Sequence, residues 1–367
     1  MIIPPPQLRF ALCFKSGFTS GFAPYFTLCF ASYVALCVSL LLPLQANGSE
    51  RIASQAPRNS SGPPLDFLQA KGPHSLDGLF GIPSALPAIL PSDHLSLSFS
   101  HSNMFAAGIA TDAALVLDGE RSRLSLSWTH VWSTCLRTAL ELPVVAHAGG
   151  YFDSAIETWH DVFGLPNASR EDTPADLLGI AYLDPSGEFL QRNSAVAEHG
   201  DMLLSVLWSL QCSQANALAR DLPVLRAGLK LPTGRVSALT GSGKPDLFVD
   251  VTGTTRHWGA WSGRAAAGFL LPGRSEGFSA QEKLAAFGTL AFGWQLTEKF
   301  KPVVQIDWHS ALFDINMREL GSFTALATVG FQWRHTNGIT TEFGLMEDIV
   351  PDTAPDIGMH LGLRYGF

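Results

Sequence analysis

The chain ends with GMHLGLRYGF, residues 358–367, in which apolar side chains alternate with polar or small ones. In a β-strand, successive side chains point to opposite faces, so Leu361 and Leu363 share one face while His360 and Arg364 share the other. An exposed strand edge of this kind invites aggregation in a soluble protein. A closed barrel pairs that edge with the first strand and turns the apolar face toward lipid. The pattern predicts an all-β fold, a transmembrane antiparallel β-barrel.

The same alternation recurs in residues 94–100, 124–129, 284–296, 303–309 and 323–334. Connections in the C-terminal half, counted back from the chain end, are alternately long and short, as in outer-membrane barrels with long external loops and short periplasmic turns. We expect about 12 or 14 strands, because bacterial barrels have even strand numbers, and we prefer 14.

Three segments interrupt the alternation. Asp-Gly-Glu-Arg at residues 118–121 is typical of a hairpin turn. Residues 177–193 resemble a hairpin around Asp-Pro-Ser-Gly, and counting both of its arms gives an odd total of strands, which bacterial barrels avoid. Residues 151–163 have apolar side chains at helical spacing, which predicts one short amphipathic helix between strands.

Composition and the N-terminus indicate an exported protein. The 367 residues carry a formal net charge of −8, and the mild acidity gives no support for nucleic-acid binding, which requires a basic patch. Residues 1–46 have the features of a signal peptide, with an apolar run at residues 25–44 and a cleavage site after Ala46. That run is also long enough for an uncleaved membrane helix, but the polar, turn-rich sequence that follows favours cleavage.

The mature chain is expected to have two parts. Residues 47–92 are rich in Pro, Gly and Ser and predict an irregular periplasmic lead-in or a partial plug of the lumen. Residues 93–367 form the predicted barrel. Cys135 and Cys212 remain after cleavage, and an oxidising compartment allows a disulfide between them, although separate thiols are an open alternative.

Several motifs suggest a family. ELPVVAHAGGYFD at residues 141–153 is followed by HDVFGLP at residues 160–166 and by Arg170, and KLPTG occurs at residues 230–234. Together they resemble the domain of unknown function 3187 family of bacterial envelope proteins, over residues 95–367. The resemblance implies an outer-membrane barrel and implies no reaction and no catalytic residues.

Polar side chains at inward strand positions or in long loops are candidates for the lumen or its constriction, because barrel interiors are polar. The candidates are Asp118, Glu120, Asp153, His160, Arg170, Lys230, Lys244, Asp246, Asp307, His309, Arg334 and Arg364. Glycines and basic residues in the loop at 231–245 suggest an ordered external loop that narrows a pore and selects for anions. Glu157 and His160 have metal-ligand spacing on the predicted helix, but a solvated polar face is the preferred interpretation. We therefore predict no catalytic, metal or cofactor site.

Three functions are compatible with this pattern. The preferred one is a passive channel or small-molecule transport barrel of unknown solute in the bacterial outer membrane. A lipid-modifying barrel enzyme is the second, because Asp307 and His309 share one face and need only a nearby serine. The third is a structural or adhesive barrel with a blocked lumen. The expected partners are outer-membrane lipid and the barrel-assembly machinery, which would recognise the C-terminal strand ending at Phe367.

Overall fold

The computed structural model describes most of the chain from Leu65 onward, and all of the described residues lie in one compact unit, residues 62–367. The described residues are 65–71, 76, 79–83, 87, 89–150, 177–210, 223–355 and 357–367. The predicted signal peptide, the predicted helix at 151–163 and the candidates Asp153, His160 and Arg170 lie outside them. Cys135 is disulfide-bonded. The other four cysteines of the chain, Cys212 among them, are outside the described residues.

Strands dominate the described part of the chain. They are β1 His94–Ile109, β2 Ala114–Val131, β3 Leu136–Ala148, β4 Gly179–Leu183, β5 Phe189–Arg192, β6 Val196–His199, β7 Met202–Ser209, β8 Val224–Leu231, β9 Asp246–Thr252, β10 Arg256–Trp258, β11 Trp261–Leu271, β12 Ala285–Trp294, β13 Phe300–His309, β14 Thr324–Arg334, β15 Thr340–Asp348 and β16 Ile357–Gly366. A 3₁₀ turn spans Val236–Ala238, and a one-turn helix, α1, spans Arg318–Gly321. Among these residues there is no helix of the length and apolar character needed to cross a bilayer.

Twelve strands close into an antiparallel barrel in the order β1, β2, β3, β7, β8, β9, β11 to β16. The last strand, β16, pairs with the first from His94↔Gly366 to Ser102↔Gly358. The Phe367 amide adds a hydrogen bond of 2.9 Å to the Asp93 carbonyl oxygen. The predicted β-barrel, closed by the C-terminal strand, is confirmed.

The strand number is the lower of the two that we expected, and the preference for 14 was wrong. Residues 177–193 do form a hairpin, β4–β5, but β4 pairs with residues 114–118 of β2, beyond the point where β3 ends at Ala148. The hairpin therefore extends the sheet past one end of the barrel and adds no strand to its wall.

The hairpin turn predicted at residues 118–121 was also wrong. β2 runs through these residues, and the β1–β2 turn lies at 110–113, where the Ala110 amide donates to the Ala113 carbonyl oxygen at 2.8 Å. Gly119, with φ of +144°, sits where β2 changes its partner from β4 to β3. A Cβ there would lie 2.8 Å from the Ala148 carbonyl oxygen, so the Asp-Gly pair lies within a strand at a position that favours glycine.

The two faces of the wall differ as predicted. In β16, Leu361 and Leu363 are 42% and 49% exposed on the outside, whereas His360 and Arg364 are 1% and 5% exposed on the inside. Exposed tryptophans cluster near the strand ends on the side where the chain termini of the barrel lie, and Trp261 stacks on Trp294 with centroids 5.4 Å apart. An apolar exterior with an aromatic border matches a membrane-embedded wall.

Candidate functional site in the lumen

The lumen is lined by charged and amide side chains that point inward from the strands. We call the end where β1 begins and β16 finishes the terminal end, and the opposite one the loop end. In the terminal half, the buried polar side chains of the wall include Arg137, Arg226, Asp250, Arg264, Lys301, Gln332, Glu342 and Arg364. Basic groups outnumber acidic groups among these side chains.

Part of the chain before β1 lies inside this lumen. We call residues 65–90 the inserted segment, of which residues 65–71, 76, 79–83, 87, 89 and 90 are described. Phe67, Leu68 and Ala70 are at most 1% exposed and pack in one cluster with Ala266, Ala291, Val303 and Met346 of the wall. The wall and the segment bury each other.

Four wall side chains hold the segment in the terminal half, and we call Arg264, Lys301, Gln332 and Glu342 the terminal clamp. Each of them contacts at least one residue in the range 65–69. The Arg264 Nη1 lies 3.6 Å from Asp66 Oδ1, and Lys301 Nζ lies 4.0 Å from the Phe67 ring centroid. Gln332 Nε2 donates to the Phe67 carbonyl oxygen at 2.8 Å, and the Gln69 amide donates to Glu342 Oε2 at 3.0 Å.

A second set of side chains holds the segment near the loop end, and we call Lys230, Asp201 and Asp246 the loop-end clamp. Lys230 Nζ lies 3.1 Å from Asp201 Oδ2 and 3.0 Å from Asp246 Oδ2, and it donates to the Leu79 carbonyl oxygen at 2.7 Å. Asp246 Oδ2 accepts the Gly81 amide at 2.7 Å. Since Lys230 and both carboxylates are nearly inaccessible to solvent, water screens these attractions little.

An aromatic cluster packs beside the loop-end clamp. The Phe80 ring meets Phe313 edge-on at 5.6 Å, and Phe278 lies 6.1 Å from Phe313 and stacks on Tyr182 at 5.3 Å. These rings come from the inserted segment, from two loop-end connections and from β4. The long connections therefore fold inward over the lumen and bury an apolar core there.

Asp184, in the β4–β5 turn, links this turn to the β11–β12 connection beside the aromatic cluster. Its carboxylate accepts the Ser279 amide at 2.8 Å and the Ser186 amide at 2.9 Å, together with both serine hydroxyls. Burial favours the neutral acid, but the serine donors outweigh it, so the pKa of Asp184 is below its ordinary value. Burial, and then the neighbouring Asp184 carboxylate, raise the pKa of Tyr182, which donates to Asp184 at 3.2 Å.

The structure gives the predicted candidates different positions. Lys230 and Asp246 contact each other, and Arg364 donates to Glu342 Oε1 at 3.0 Å. Glu120 is buried with its Oε2 3.3 Å from His101 Nε2. Lys244, Asp118 and Arg334 do not join either clamp. Lys244 is partly exposed beside Glu276, Asp118 is half-buried next to Gly119, and Arg334 is half-buried at the terminal end.

Asp307 and His309 do not form the pair that a hydrolytic triad needs. Asp307 accepts Thr289 Oγ1 at 2.6 Å and Gln305 Nε2 at 3.0 Å. His309 Nδ1 faces the Ser310 carbonyl oxygen at 2.7 Å, whereas a triad would direct that nitrogen to the aspartate. In the described ranges, no group of three or more His, Cys, Asp or Glu side chains is placed to hold a metal ion.

Sequence reasoning missed Arg264, Lys301 and Glu342 of the terminal clamp, as well as Asp201. Arg264, Lys301 and Glu342 occupy inward positions of their strands, so the alternation of neighbouring apolar residues could have identified them, whereas Asp201 lies just before β7. Arg264 stands before three alanines, Ala265 to Ala267, and is the charged residue in β11. The alternation of side chains along a strand could not show that a distant segment supplies the partners of these residues.

Comparison with solved structures supports the architecture. The structure is similar to that of the COG4313 outer membrane channel from Pseudomonas putida F1, with a TM-score of 0.51 and 10% identity over 76% of this chain and 97% of that one. Weaker similarity extends to the P. putida toluene transporter TodX, with a TM-score of 0.40, 8% identity and coverage of 82% and 99%. The CymD monoaromatic hydrocarbon channel matches with a TM-score of 0.42 and 10% identity over 82% of this chain and 99% of that one. At these identities the similarity concerns the fold.

Comparison with curated proteins finds no match for this chain. A family model does match it, across residues 55–367, which include every strand of the barrel and the whole inserted segment. The family is described as "Protein of unknown function (DUF3187)", in agreement with the resemblance carried by the motifs at 141–166 and 230–234. The chain belongs to the DUF3187 family of proteins.

Proposed function

We propose that this protein is a passive small-molecule transport barrel of the bacterial outer membrane, closed in the described state by its own inserted segment. The observation that carries the proposal is a lumen wall with buried charged side chains, several of which contact the inserted segment. Burying charges is costly, and an apolar filling of similar volume is often at least as stable. A wall rich in Arg, Lys, Asp and Glu therefore suits a lumen that fills with water when the segment withdraws.

The proposal includes the route to the membrane and the orientation in it. Residues 1–46 are a signal peptide that is cleaved, and residues 47–92 are a periplasmic lead-in that continues as the plug. The terminal end faces the periplasm, because the short connections of the C-terminal half lie there. The barrel-assembly machinery recognises the C-terminal strand ending at Phe367, and the apolar outer wall contacts lipid.

The solved channels with similar folds support this proposal. The P. putida F1 protein is an outer membrane channel, and TodX and CymD carry toluene and monoaromatic hydrocarbons by their descriptions. The polar lumen of this chain favours a polar or charged solute.

A reversible cross-link tests whether the segment must move. A Cβ placed on Gly81 would lie 3.3 Å from the Asp246 Cβ, close to the spacing of about 3.5–4.5 Å in disulfides. We expect the oxidised double variant Gly81→Cys/Asp246→Cys to be closed in planar-bilayer recordings and to conduct after reduction. The two single variants and the reduced wild type are the controls, since Cys135 is itself disulfide-bonded.

The outcomes separate the parts of the proposal. Equal conductance of the oxidised and reduced double variant would disprove closure by the segment. No conductance and no solute entry into liposomes for any variant would disprove transport. The second result would favour the alternative of a structural or adhesive barrel, for which the apolar cluster at the loop end is the supporting observation.

A further inference from the structure

Two cations of the terminal clamp, Arg264 and Lys301, contact neighbouring residues of the inserted segment beside small apolar side chains of the wall. Lys301 extends across Gly293 of β12, where an added Cβ would lie 2.2 Å from Lys301 Cε, so only glycine leaves room for this path. Arg264 is the direct partner of Ala291, two residues before Gly293 on the same strand. Ala291 and Val303, both at most 1% exposed, contribute to the apolar cluster around Phe67.

Residues 66 and 67 occupy this place with one carboxylate and one aromatic ring. The Asp66 carboxylate faces Arg264 at 3.6 Å, and the Phe67 ring lies under Lys301 Nζ at 4.0 Å. The carboxylate distance exceeds the roughly 2.7–2.9 Å of a charge-assisted hydrogen bond. Asp66 is tethered to the main chain, whereas the carboxylate of a small solute can adopt the shorter distance.

We propose that the terminal clamp is a binding site for small aromatic carboxylates, with Asp66 and Phe67 as its internal competitor in the closed state. The proposal rests on the transport role and names the class of solute. Arg264 binds the carboxylate, Lys301 lies over the ring face by a cation–π interaction, and Ala291 with Val303 forms the apolar floor. Aliphatic acids lack the ring contact, and neutral aromatics lack the ion pair.

The first test compares three ligands on the folded full-length protein by isothermal titration calorimetry. Benzoate carries both groups, cyclohexanecarboxylate lacks the π system, and benzyl alcohol lacks the charge. We expect benzoate to bind about threefold to tenfold more tightly than cyclohexanecarboxylate, and at least about tenfold more tightly than benzyl alcohol. The variant Asp66→Asn/Phe67→Ala should bind benzoate more tightly than the wild type, because the competitor is weakened.

The second test changes the wall in the Asp66→Asn/Phe67→Ala background. Arg264→Gln and Lys301→Gln should each lower benzoate affinity, Arg264→Gln by about tenfold or more because the ion pair is lost. Arg256→Gln and Lys299→Gln are matched controls, since both residues are exposed at the same end of the barrel. Heat-modified gel mobility verifies that each variant is folded, and the ligand series on the wild type does not depend on any variant.

The outcomes distinguish the site from the transport role. Equal affinity for the three ligands, or equal losses in the wall variants and their controls, would overturn the site. Conductance and solute entry without any preference for benzoate would refute the site and leave transport standing. The expected order of affinities in a protein that never conducts would support the site and refute transport.

Discussion

The inserted segment is held differently at its two ends. In the terminal half, residues 65–69 meet the wall through separate polar contacts, each of which a ligand or water can replace, and Phe67 and Leu68 also pack in an apolar cluster with the wall. At the loop end, Leu79 and Gly81 are bound by an ion cluster, and Phe80 is packed among aromatic rings. The difference suggests that the loop end anchors the closed state, while the terminal end is the exchangeable part.

The largest effect is expected at the loop-end clamp. Lys230→Met leaves Asp201 and Asp246 buried without their shared cation, which should lower the free energy of unfolding by about 3–5 kcal/mol. Lys244→Met is the matched control, because its partner Glu276 is 89% exposed and such pairs contribute about 0–1 kcal/mol. Urea unfolding in lipid vesicles measures both. Equal losses would contradict the assignment of Lys230 as an anchor.

The aromatic contact should rank next. Phe80 is 2% exposed, and Phe80→Ala removes its packing against Phe313, which should destabilise the closed state by about 3 kcal/mol. We expect more frequent channel openings in planar bilayers. Phe189→Ala, at a position that is 61% exposed on β5, provides the comparison and should leave the open probability unchanged. Unchanged openings in Phe80→Ala would remove the distinction between the two ends.

A smaller effect is expected in the terminal half. Glu342→Gln weakens two hydrogen bonds that the carboxylate accepts, one from Arg364 and one from the Gln69 amide. The free energy that holds residues 65–69 in place should fall by about 2 kcal/mol. Hydrogen exchange should rise at residues 65–69 and stay unchanged at residues 79–81. Glu298→Gln in the exposed β12–β13 turn is the control. Exchange that rises equally at both ends would show one cooperative unit instead of two.

The smallest effect concerns pH. Because the folded pKa of Asp184 is below its unfolded value of about 3.9, its ionised form stabilises the loop end above that pH, and this stabilisation is lost as pH falls through the folded pKa. Hydrogen exchange in the β4–β5 hairpin should therefore increase below about pH 4. Asp184→Asn should abolish this increase. A pH response that persists in Asp184→Asn would assign it to another group.

The local alternation of side chains was sufficient to predict the strands of the barrel wall. The period-two alternation in residues 303–309 and 358–367 predicted the strands and the inward positions of Asp307, His309 and Arg364, because neighbouring residues alone determine which face a side chain takes. The alternation of long and short connections predicted the barrel. These features depend on short separations along the chain, which a sequence displays directly.

Only the tertiary structure decided the strand number and the contents of the lumen. Whether the hairpin at 177–193 entered the wall depended on where β3 ends, and nothing in the hairpin itself encodes this. Gly81 meets Asp246 across 165 positions, and Gln69 meets Glu342 across 273. Such contacts leave no periodic trace in the sequence, because they require only one suitable donor and one acceptor that the closed barrel brings together.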